Sequence, residues 1–121
     1  MILLDTNIFI EIYRGNTDIA SMVDDMPEIA VCDMVRAELF YGARNKHELN
    51  EITADLEEIT VLFLSSQISE MAVNLVKTYC LSHRLEFADA LIAATAIFYN
   101  AELFTLNKKD FSYIPNLKLY P

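Results

Sequence analysis

The sequence predicts an α/β fold built on a mainly parallel sheet, and three observations lead to this prediction. Short apolar runs of strand length alternate with longer amphipathic segments along all 121 residues. Glycine occurs only twice and proline three times, so long regular elements are expected. Hydrophobic residues make up 54% of the chain, which suits a compact core. Alternating strands and helices favour parallel pairing with right-handed crossover connections.

Strands are expected where apolar runs are bounded by charged, turn-forming or capping residues. Five are predicted: Ile2–Asp5, Ile29–Cys32, Thr60–Phe63, Glu102–Thr105 and a short one at Leu117–Leu119. Six helices are predicted: about Ile8 to Arg14, Thr17 or Asp18 to Met26, Met34 to about Arg44, Lys46 to Ile59, Ser65 or Ser66 to about His83, and about Phe87 to Tyr99. Asp33 is the predicted N-cap of the third helix, and Asn107–Phe111 is a predicted turn. No linker or repeat divides residues 1–121, so a single domain is expected.

The composition narrows the classes of function. The net charge of −9 argues against a domain that binds nucleic acid by general electrostatic attraction. The opening apolar run is too short for an export signal, and the longest charge-free run, 90–101, is too short to span a membrane. Cys32 and Cys80 lack metal-ligand spacing and are interpreted as small buried residues in a reducing compartment. A cytoplasmic location without membrane association is expected.

Three carboxylates lie at the end of a buried strand or on an apolar helix surface, where charged side chains are unusual. Asp5 ends the first predicted strand, Glu38 lies on an apolar stripe of its helix, and Asp89 is in the first turn of a helix that is apolar nearly all round. Each position alone has an ordinary explanation. A turn explains Asp5, and the helix dipole explains Asp89. An ion pair with Arg36 or Arg44 explains Glu38.

Taken together, the three acids favour a metal site. Ligands of open parallel sheets bind beyond the carboxyl ends of the strands, which is where Asp5 is predicted to lie. Three carboxylates that meet there without a counter-charge would repel one another strongly. A divalent cation removes this repulsion, and Mg²⁺ and Mn²⁺ prefer oxygen ligands.

Four segments carry these acids and the polar residues around them, in this order: Leu4–Asn7, Ala37–Gly42, Asp89–Ala94 and Leu103–Phe111. The ordered set, which spans nearly the whole chain, resembles the PIN-domain ribonucleases and, among them, the VapC-type toxins of bacterial toxin–antitoxin pairs. The resemblance implies a three-layer fold with a central, mainly parallel sheet of four or five strands flanked by helices. It also implies that Asp5, Glu38 and Asp89 are the metal-binding and catalytic acids, with Mg²⁺ or Mn²⁺ as the cofactor.

The resemblance also implies supporting roles. Thr6, Asn7 and Thr105 are expected to orient the carboxylates or a phosphate oxygen. Many PIN domains have a fourth acid where this sequence has Asn107, which is a neutral amide. Asp110, three residues further on, is either a replacement metal ligand or an exposed turn residue. The departure at Asn107 weakens the case for a second bound ion.

The implied activity is hydrolysis of RNA phosphodiester bonds, leaving a 5′-phosphate and a 3′-hydroxyl. The implied partners are RNA, a small antitoxin protein and a second copy of the chain in a homodimer. Four basic residues are candidates for contacts to the RNA backbone, in order of preference: Lys108 and Lys109, then Arg36 and Arg84. Neither histidine is required as a base, and both His47 and His83 are interpreted as surface residues.

Two other classes of α/β protein fit the same residues poorly. A phosphotransferase of the haloacid dehalogenase type requires a second aspartate where this chain has Asn7, and a receiver domain requires an acid where the mid-chain strand is followed by Leu64. Two alternatives within the PIN fold stay open. One is a degenerate scaffold or binding module, supported only by Asn107. The other is a nuclease of RNA processing or decay that acts without an antitoxin.

Overall fold

The computed structural model describes residues 1–121 and contains five strands and six helices. The strands are β1 (Ile2–Leu4), β2 (Ile29–Cys32), β3 (Thr60–Leu62), β4 (Glu102–Phe104) and β5 (Lys118–Leu119). The helices are α1 (Thr6–Tyr13), α2 (Thr17–Asp24), α3 (Asp33–Tyr41), α4 (Lys46–Glu57), α5 (Ser66–His83) and α6 (Phe87–Phe98), with a 3₁₀ turn at Lys108–Asp110. The predicted α/β class and all five predicted strands are confirmed.

The five strands form one parallel sheet in the order β3-β2-β1-β4-β5. β1 is central, with Leu3 opposite Ala30 of β2 on one side and Leu103 of β4 on the other. The chain adds strands to one side of β1 first and then to the other, so the strand order reverses between β1 and β4. Such a switch point is the usual ligand-binding position of an open parallel sheet, at the carboxyl ends of its strands.

Helix α6 occupies the interior beside this sheet. Seven consecutive residues, Ala90–Ala96, are buried. Five of them are alanine or threonine, and their small side chains allow α6 to pack closely on its neighbours. Because the helix is fixed by this burial, the carboxylate of Asp89 in its first turn is held at the boundary of the core.

Three local predictions need correction. Helix α1 begins at Thr6 rather than near Ile8, because the Asp5 side chain caps it by accepting a hydrogen bond from the Thr6 N–H (2.8 Å). Asp33 is the first residue of α3 and not its N-cap, since its Oδ2 accepts from the distant backbone N–H of Leu64 (2.9 Å). Cys80 is exposed, whereas Cys32 is buried as expected.

Ser65 caps α5 by accepting from the N–H of Ile68 (3.2 Å), so the helix begins at Ser66, one of the two predicted starts. No helix in the structure combines the length and hydrophobicity that crossing a membrane requires.

Candidate active site

The predicted ligand acids come from four different elements. Asp5 caps α1 at the end of β1, Glu38 is in α3, Asp89 is in the first turn of α6, and Asp110 ends the 3₁₀ turn. The other three acids lie close enough to Asp89 for their charges to act on it. Burial and then repulsion from the other three acids raise its pKa to about 6, with a smaller contribution from Glu86.

Asp5 is the most enclosed of these acids, at 6% exposure. Its Oδ1 accepts from the Thr6 N–H (2.8 Å), and its Oδ2 accepts from the Thr105 hydroxyl (2.7 Å) and, at longer range, from the Asn7 amide (3.4 Å). Burial raises the pKa of Asp5 despite these hydrogen bonds, which oppose the rise, and the charge of Asp110 raises it further. The protein therefore holds this carboxylate in one orientation without supplying a positive charge to it.

Thr105 and Asn7 join the ends of β1 and β4 around that carboxylate. Thr105, which is 1% exposed, donates to Asp5 and accepts from the Asn7 amide (3.3 Å) and the Asn107 backbone N–H (3.1 Å). The Asn7 carbonyl oxygen in turn accepts from the backbone N–H of Leu106 (3.2 Å). This network of hydrogen bonds holds the Asp5 carboxylate across the switch point of the sheet.

Glu38 is connected to the same group through a single hydroxyl. Thr6 Oγ1 donates to Glu38 Oε1 at 2.9 Å, so α1 and α3 are linked next to Asp5. The ordinary explanation of Glu38 does not apply, because Arg36 pairs with Asp33 (2.9 Å) and Arg44 pairs with Glu48 (2.7 Å) instead. Glu38 keeps its second carboxylate oxygen free of any hydrogen bond within the protein.

No basic side chain neutralises the four acids. The structure contains four ion pairs: Arg14–Glu11, Arg36–Asp33, Arg44–Glu48 and His47–Glu51. None of them includes Asp5, Glu38, Asp89 or Asp110. Asp5 and Asp89 are buried or half-buried, lack a counter-charge, and have pKa values raised by burial and by neighbouring acids, which is typical of functional sites rather than of structural ion pairs.

The donor set suits a hard divalent cation. All four acids offer oxygen, and no cysteine or histidine ligand lies among them, which fits Mg²⁺ or Mn²⁺ better than Zn²⁺. The acids do not form a preassembled coordination shell, because no three His, Cys, Asp or Glu side chains are grouped closely enough to hold an ion. Binding a cation would therefore pull together side chains that now repel one another.

The predicted RNA-contacting residues lie in different settings. Lys108, Lys109 and Arg84 are exposed, and none of them is in an ion pair; Lys108 Nζ donates to the carbonyl of Pro121 (3.2 Å). Arg36 is only partly exposed, because its guanidinium pairs with Asp33 and lies over the Phe63 ring, 5.9 Å from its centroid. The guanidinium of Arg36 is therefore already engaged by Asp33 and Phe63, unlike the three exposed basic residues.

An open groove leads from solvent to the Thr6–Glu38 side of the site. It encloses about 540 Å³ and lies between α1, α3 and α4. Its walls carry apolar side chains, such as Ile10 and Leu39, together with charges of both signs, such as Arg14 and Glu51. The groove exposes the Glu38 side of the site to solvent.

Two residues next to the acids were not singled out from the sequence as site residues. Tyr113 follows the 3₁₀ turn, and burial together with the charges of Asp89 and Asp110 raises its pKa. His83 stacks on Tyr113, with ring centroids 3.8 Å apart. His83 is exposed, as predicted, but the pairing joins positions thirty residues apart, and no local pattern in the sequence indicates it.

Comparison with known proteins adds independent information. Residues 2–117 match the model of the family described as the PIN domain. Ribonuclease VapC19 from Mycobacterium tuberculosis is 33% identical over 123 residues, and the alignment covers 98% of each chain.

Solved structures with similar folds include bacterial toxin–antitoxin proteins. A toxin–antitoxin complex from Klebsiella pneumoniae superposes with a TM-score of 0.83 at 30% identity, covering 97% of this chain and 95% of that one. VapBC-1 from nontypeable Haemophilus influenzae superposes with a TM-score of 0.83 at 29% identity, covering 99% and 97%.

Proposed function

This chain belongs to the PIN-domain family and, within it, to the VapC-type ribonucleases, and on that basis we propose that Asp5, Glu38 and Asp89 hold a Mg²⁺ or Mn²⁺ ion with which it hydrolyses RNA as the toxin of a toxin–antitoxin pair. The observation that carries this proposal is the uncompensated group of acids at the switch point of the sheet. Repulsion within that group, added to burial, raises the pKa of Asp89 to about 6.

Two of the proposed ligands, Asp5 and Glu38, are held by hydrogen bonds. Thr105 and Thr6 hold the two oxygens of Asp5, and the Thr6 hydroxyl holds one oxygen of Glu38. Asp110 is the proposed fourth acid, in place of the neutral Asn107. When bound, a divalent ion at such a site supplies an activated water and neutralises charge on the scissile phosphate. The task of the protein is to hold the carboxylates ionised and oriented for that ion.

The proposed RNA contacts are local, because the chain as a whole is acidic. Lys108, Lys109 and Arg84 are exposed cations without an acidic partner, and they are close in sequence to Asp110 or Asp89. Each such residue can neutralise a backbone phosphate beside the acids. The surplus of acid elsewhere limits binding to bulk nucleic acid.

Two protein partners are proposed by similarity. The first is an antitoxin with basic side chains, since similar solved structures are toxin–antitoxin complexes and this chain carries a net charge of −9. The second is another copy of the chain in a homodimer, since Phe63 (59% exposed) and Phe98 (43% exposed) present apolar area to solvent. The proposed location is the cytoplasm, because cellular RNA is the proposed substrate.

The test is cleavage of total cellular RNA by the purified protein with Mg²⁺, with Mn²⁺ and with a chelator. We expect discrete fragments only with a divalent ion, bearing a 5′-phosphate and a 3′-hydroxyl. Asp5→Asn should abolish them, while Glu57→Gln, which alters an exposed acid at the end of α4, should leave them unchanged. Equal cleavage by wild type and Asp5→Asn would reject the site, and absence of cleavage by folded, antitoxin-free wild type would reject the nuclease.

A further inference from the structure

Two aromatic rings form an ordered surface next to the acids. His83 at the end of α5 and Tyr113 after the 3₁₀ turn stack with centroids 3.8 Å apart and planes inclined by 14°. Tyr79 meets both rings edge-on, at 5.0 Å from Tyr113 and 5.8 Å from His83. His83 is exposed and Tyr113 is half-buried, so His83 is the outer ring of the pair. We refer to His83 and Tyr113 as the aromatic platform.

Both residues of the aromatic platform are close in sequence to acids of the proposed metal site. His83 ends α5, and only three residues separate it from α6, whose first turn carries Asp89. Tyr113 is three residues beyond Asp110. The stack therefore ties together the two segments that deliver these acids, and the charges of both acids act on the Tyr113 hydroxyl.

The outer ring is held in a fixed orientation. His83 Nδ1 is hydrogen-bonded to the Ser82 hydroxyl at 2.8 Å, and Tyr113 covers one ring face. Nε2 makes no hydrogen bond within the protein, and His83 is exposed to solvent. A flat, preoriented ring with one open face loses little conformational freedom when it stacks on a second flat group.

Free positive charges flank the aromatic platform. Arg84 follows His83 directly, is exposed, and is held in a left-handed backbone conformation (φ 55°) that directs the chain sharply at the end of α5. Lys109 is exposed beside Asp110. Neither residue is in an ion pair. Aromatic rings combined with unpaired cations are the usual means of binding single-stranded nucleic acid.

We infer that the aromatic platform stacks an unpaired RNA base beside the scissile phosphate, while Arg84 and Lys109 contact neighbouring phosphates. The inference rests on the proposed ribonuclease function and deepens it, because it selects RNA with an unstacked base over an RNA duplex. A base within a duplex is already stacked on both faces and cannot reach the His83 ring without being extruded. The alternative is a purely structural stack that tethers α5 to the C-terminal segment.

Binding without cleavage separates these two roles. The probe is a short single-stranded oligoribonucleotide of mixed sequence that contains 2-aminopurine, whose fluorescence is quenched by stacking, and the parent protein is Asp5→Asn in the presence of Mg²⁺. We expect His83→Ala to lose the quenching and to bind roughly tenfold more weakly. His83→Phe, which keeps a ring, should restore both. His47→Ala alters the other exposed histidine and is the matched control.

Each result decides the question. Unchanged quenching and affinity in His83→Ala, with or without a lower melting temperature, would overturn the inference and leave a structural tether. A loss that His83→Phe does not restore would overturn stacking, and absence of quenching by the parent would do the same. Quenching that depends on His83 in a chain whose wild type cuts no RNA would instead reject the nuclease and keep an RNA-binding surface. Failure of His83→Ala to alter binding in an active nuclease rejects the platform alone.

Discussion

Two aspartates follow neighbouring strands of the same sheet, and their surroundings differ in one respect. Asp33 follows β2 and is satisfied within the protein: Oδ1 accepts from the Arg36 guanidinium and Oδ2 from the Leu64 N–H, both at 2.9 Å. Asp5 follows β1 and is more deeply buried, but all of its hydrogen-bond donors are neutral. Both acids lie at the carboxyl edge of the sheet, so position alone does not distinguish them.

The difference lies in charge compensation. Arg36 and a backbone amide make the Asp33 region a structural link between β2, α3 and β3. The Asp5 region instead gathers further acids, including Asp89, and orients them with hydroxyl and amide groups from Thr105 and Asn7. A region that orients charge without cancelling it is prepared for a ligand of opposite charge, and it is less stable without that ligand.

The largest expected effect on RNA cleavage comes from neutralising Asp89, in the Asp5 region. Asp89→Asn should lower RNA cleavage at least about a hundredfold, because it removes a proposed metal ligand. It should also raise the free energy of unfolding without metal by on the order of 1 kcal/mol, allowing for solvent screening of a half-buried side chain, because it removes a repelled charge. Single-turnover cleavage and urea unfolding measure the two quantities.

Asp33→Asn is the matched variant, and both of its effects should differ. Loss of the charge that pairs with Arg36 should lower the free energy of unfolding by about 1 kcal/mol, while cleavage stays unchanged. A loss of cleavage in Asp33→Asn comparable to that in Asp89→Asn would show that both regions belong to the site.

A smaller effect is expected from the hydroxyl that orients Asp5. Thr105→Val preserves the shape of the side chain but removes the 2.7 Å hydrogen bond to Asp5 Oδ2, so cleavage should fall about tenfold through loss of ligand orientation. Thr95→Val is the control, because Thr95 is equally buried and donates only to the backbone carbonyl of Leu91 (2.7 Å). Equal activity in the two variants would mean that the Thr105 hydroxyl serves stability alone.

The pH dependence should have opposite signs with and without a divalent ion. The pKa of Asp89 rises from its usual value of 3.8 to about 6 in the folded protein, so the folded state binds the proton more tightly than the unfolded state does. Without metal, stability should therefore increase as the pH falls through about 6 toward about 4, and decrease as the pH rises through the same window. The raised pKa of Asp5 acts in the same direction.

With Mn²⁺ present the trend should reverse, because the ion and the proton compete for the same carboxylates. The increase in melting temperature caused by Mn²⁺ should be large above pH 7 and lost as the pH falls below about 6. Melting curves of wild type and Asp89→Asn at several pH values provide the measurement. A Mn²⁺ effect that is the same at all pH values, or is retained in Asp89→Asn, would contradict the assignment.

The sequence predicts the fold and the central acids because both depend on local patterns. Alternating apolar runs and helical stripes locate the strands and helices. Asp5 and Thr105 each end a predicted strand, and in a parallel sheet all strands end at the same edge. Ligands of such sheets bind at that edge. Asp89 is identifiable because a carboxylate in an almost wholly apolar helix contradicts its surroundings.

Features that depend on long-range partners were not predicted. Asp33 precedes a helix and looks like a local cap, but its partner Leu64 belongs to another strand connection. Arg36 pairs with Asp33 one turn earlier in the same helix, but its position over the Phe63 ring requires the tertiary fold. The stack of His83 on Tyr113 likewise requires the tertiary fold.

The smallest expected effect is a shift in the pH midpoint of cleavage when Asp110 is neutralised. Asp110 is exposed, but its charge is not paired with any basic side chain. It raises the pKa of both Asp5 and Asp89, so Asp110→Asn should lower the pH midpoint of cleavage, by less than about one unit. If Asp110 is also the fourth ligand, the variant should need more Mn²⁺ for half-maximal cleavage.

Glu86→Gln separates the two contributions, because Glu86 is the weakest of the charges that raise the pKa of Asp89, and no role in metal binding is proposed for it. A shift of the pH midpoint without a change in Mn²⁺ requirement in Asp110→Asn would assign Asp110 a purely electrostatic role. Both changes together, with neither in Glu86→Gln, would place Asp110 among the ligands and explain how a chain with Asn107 in place of an acid completes its site. No change in either quantity would restrict the uncompensated group to Asp5, Glu38 and Asp89.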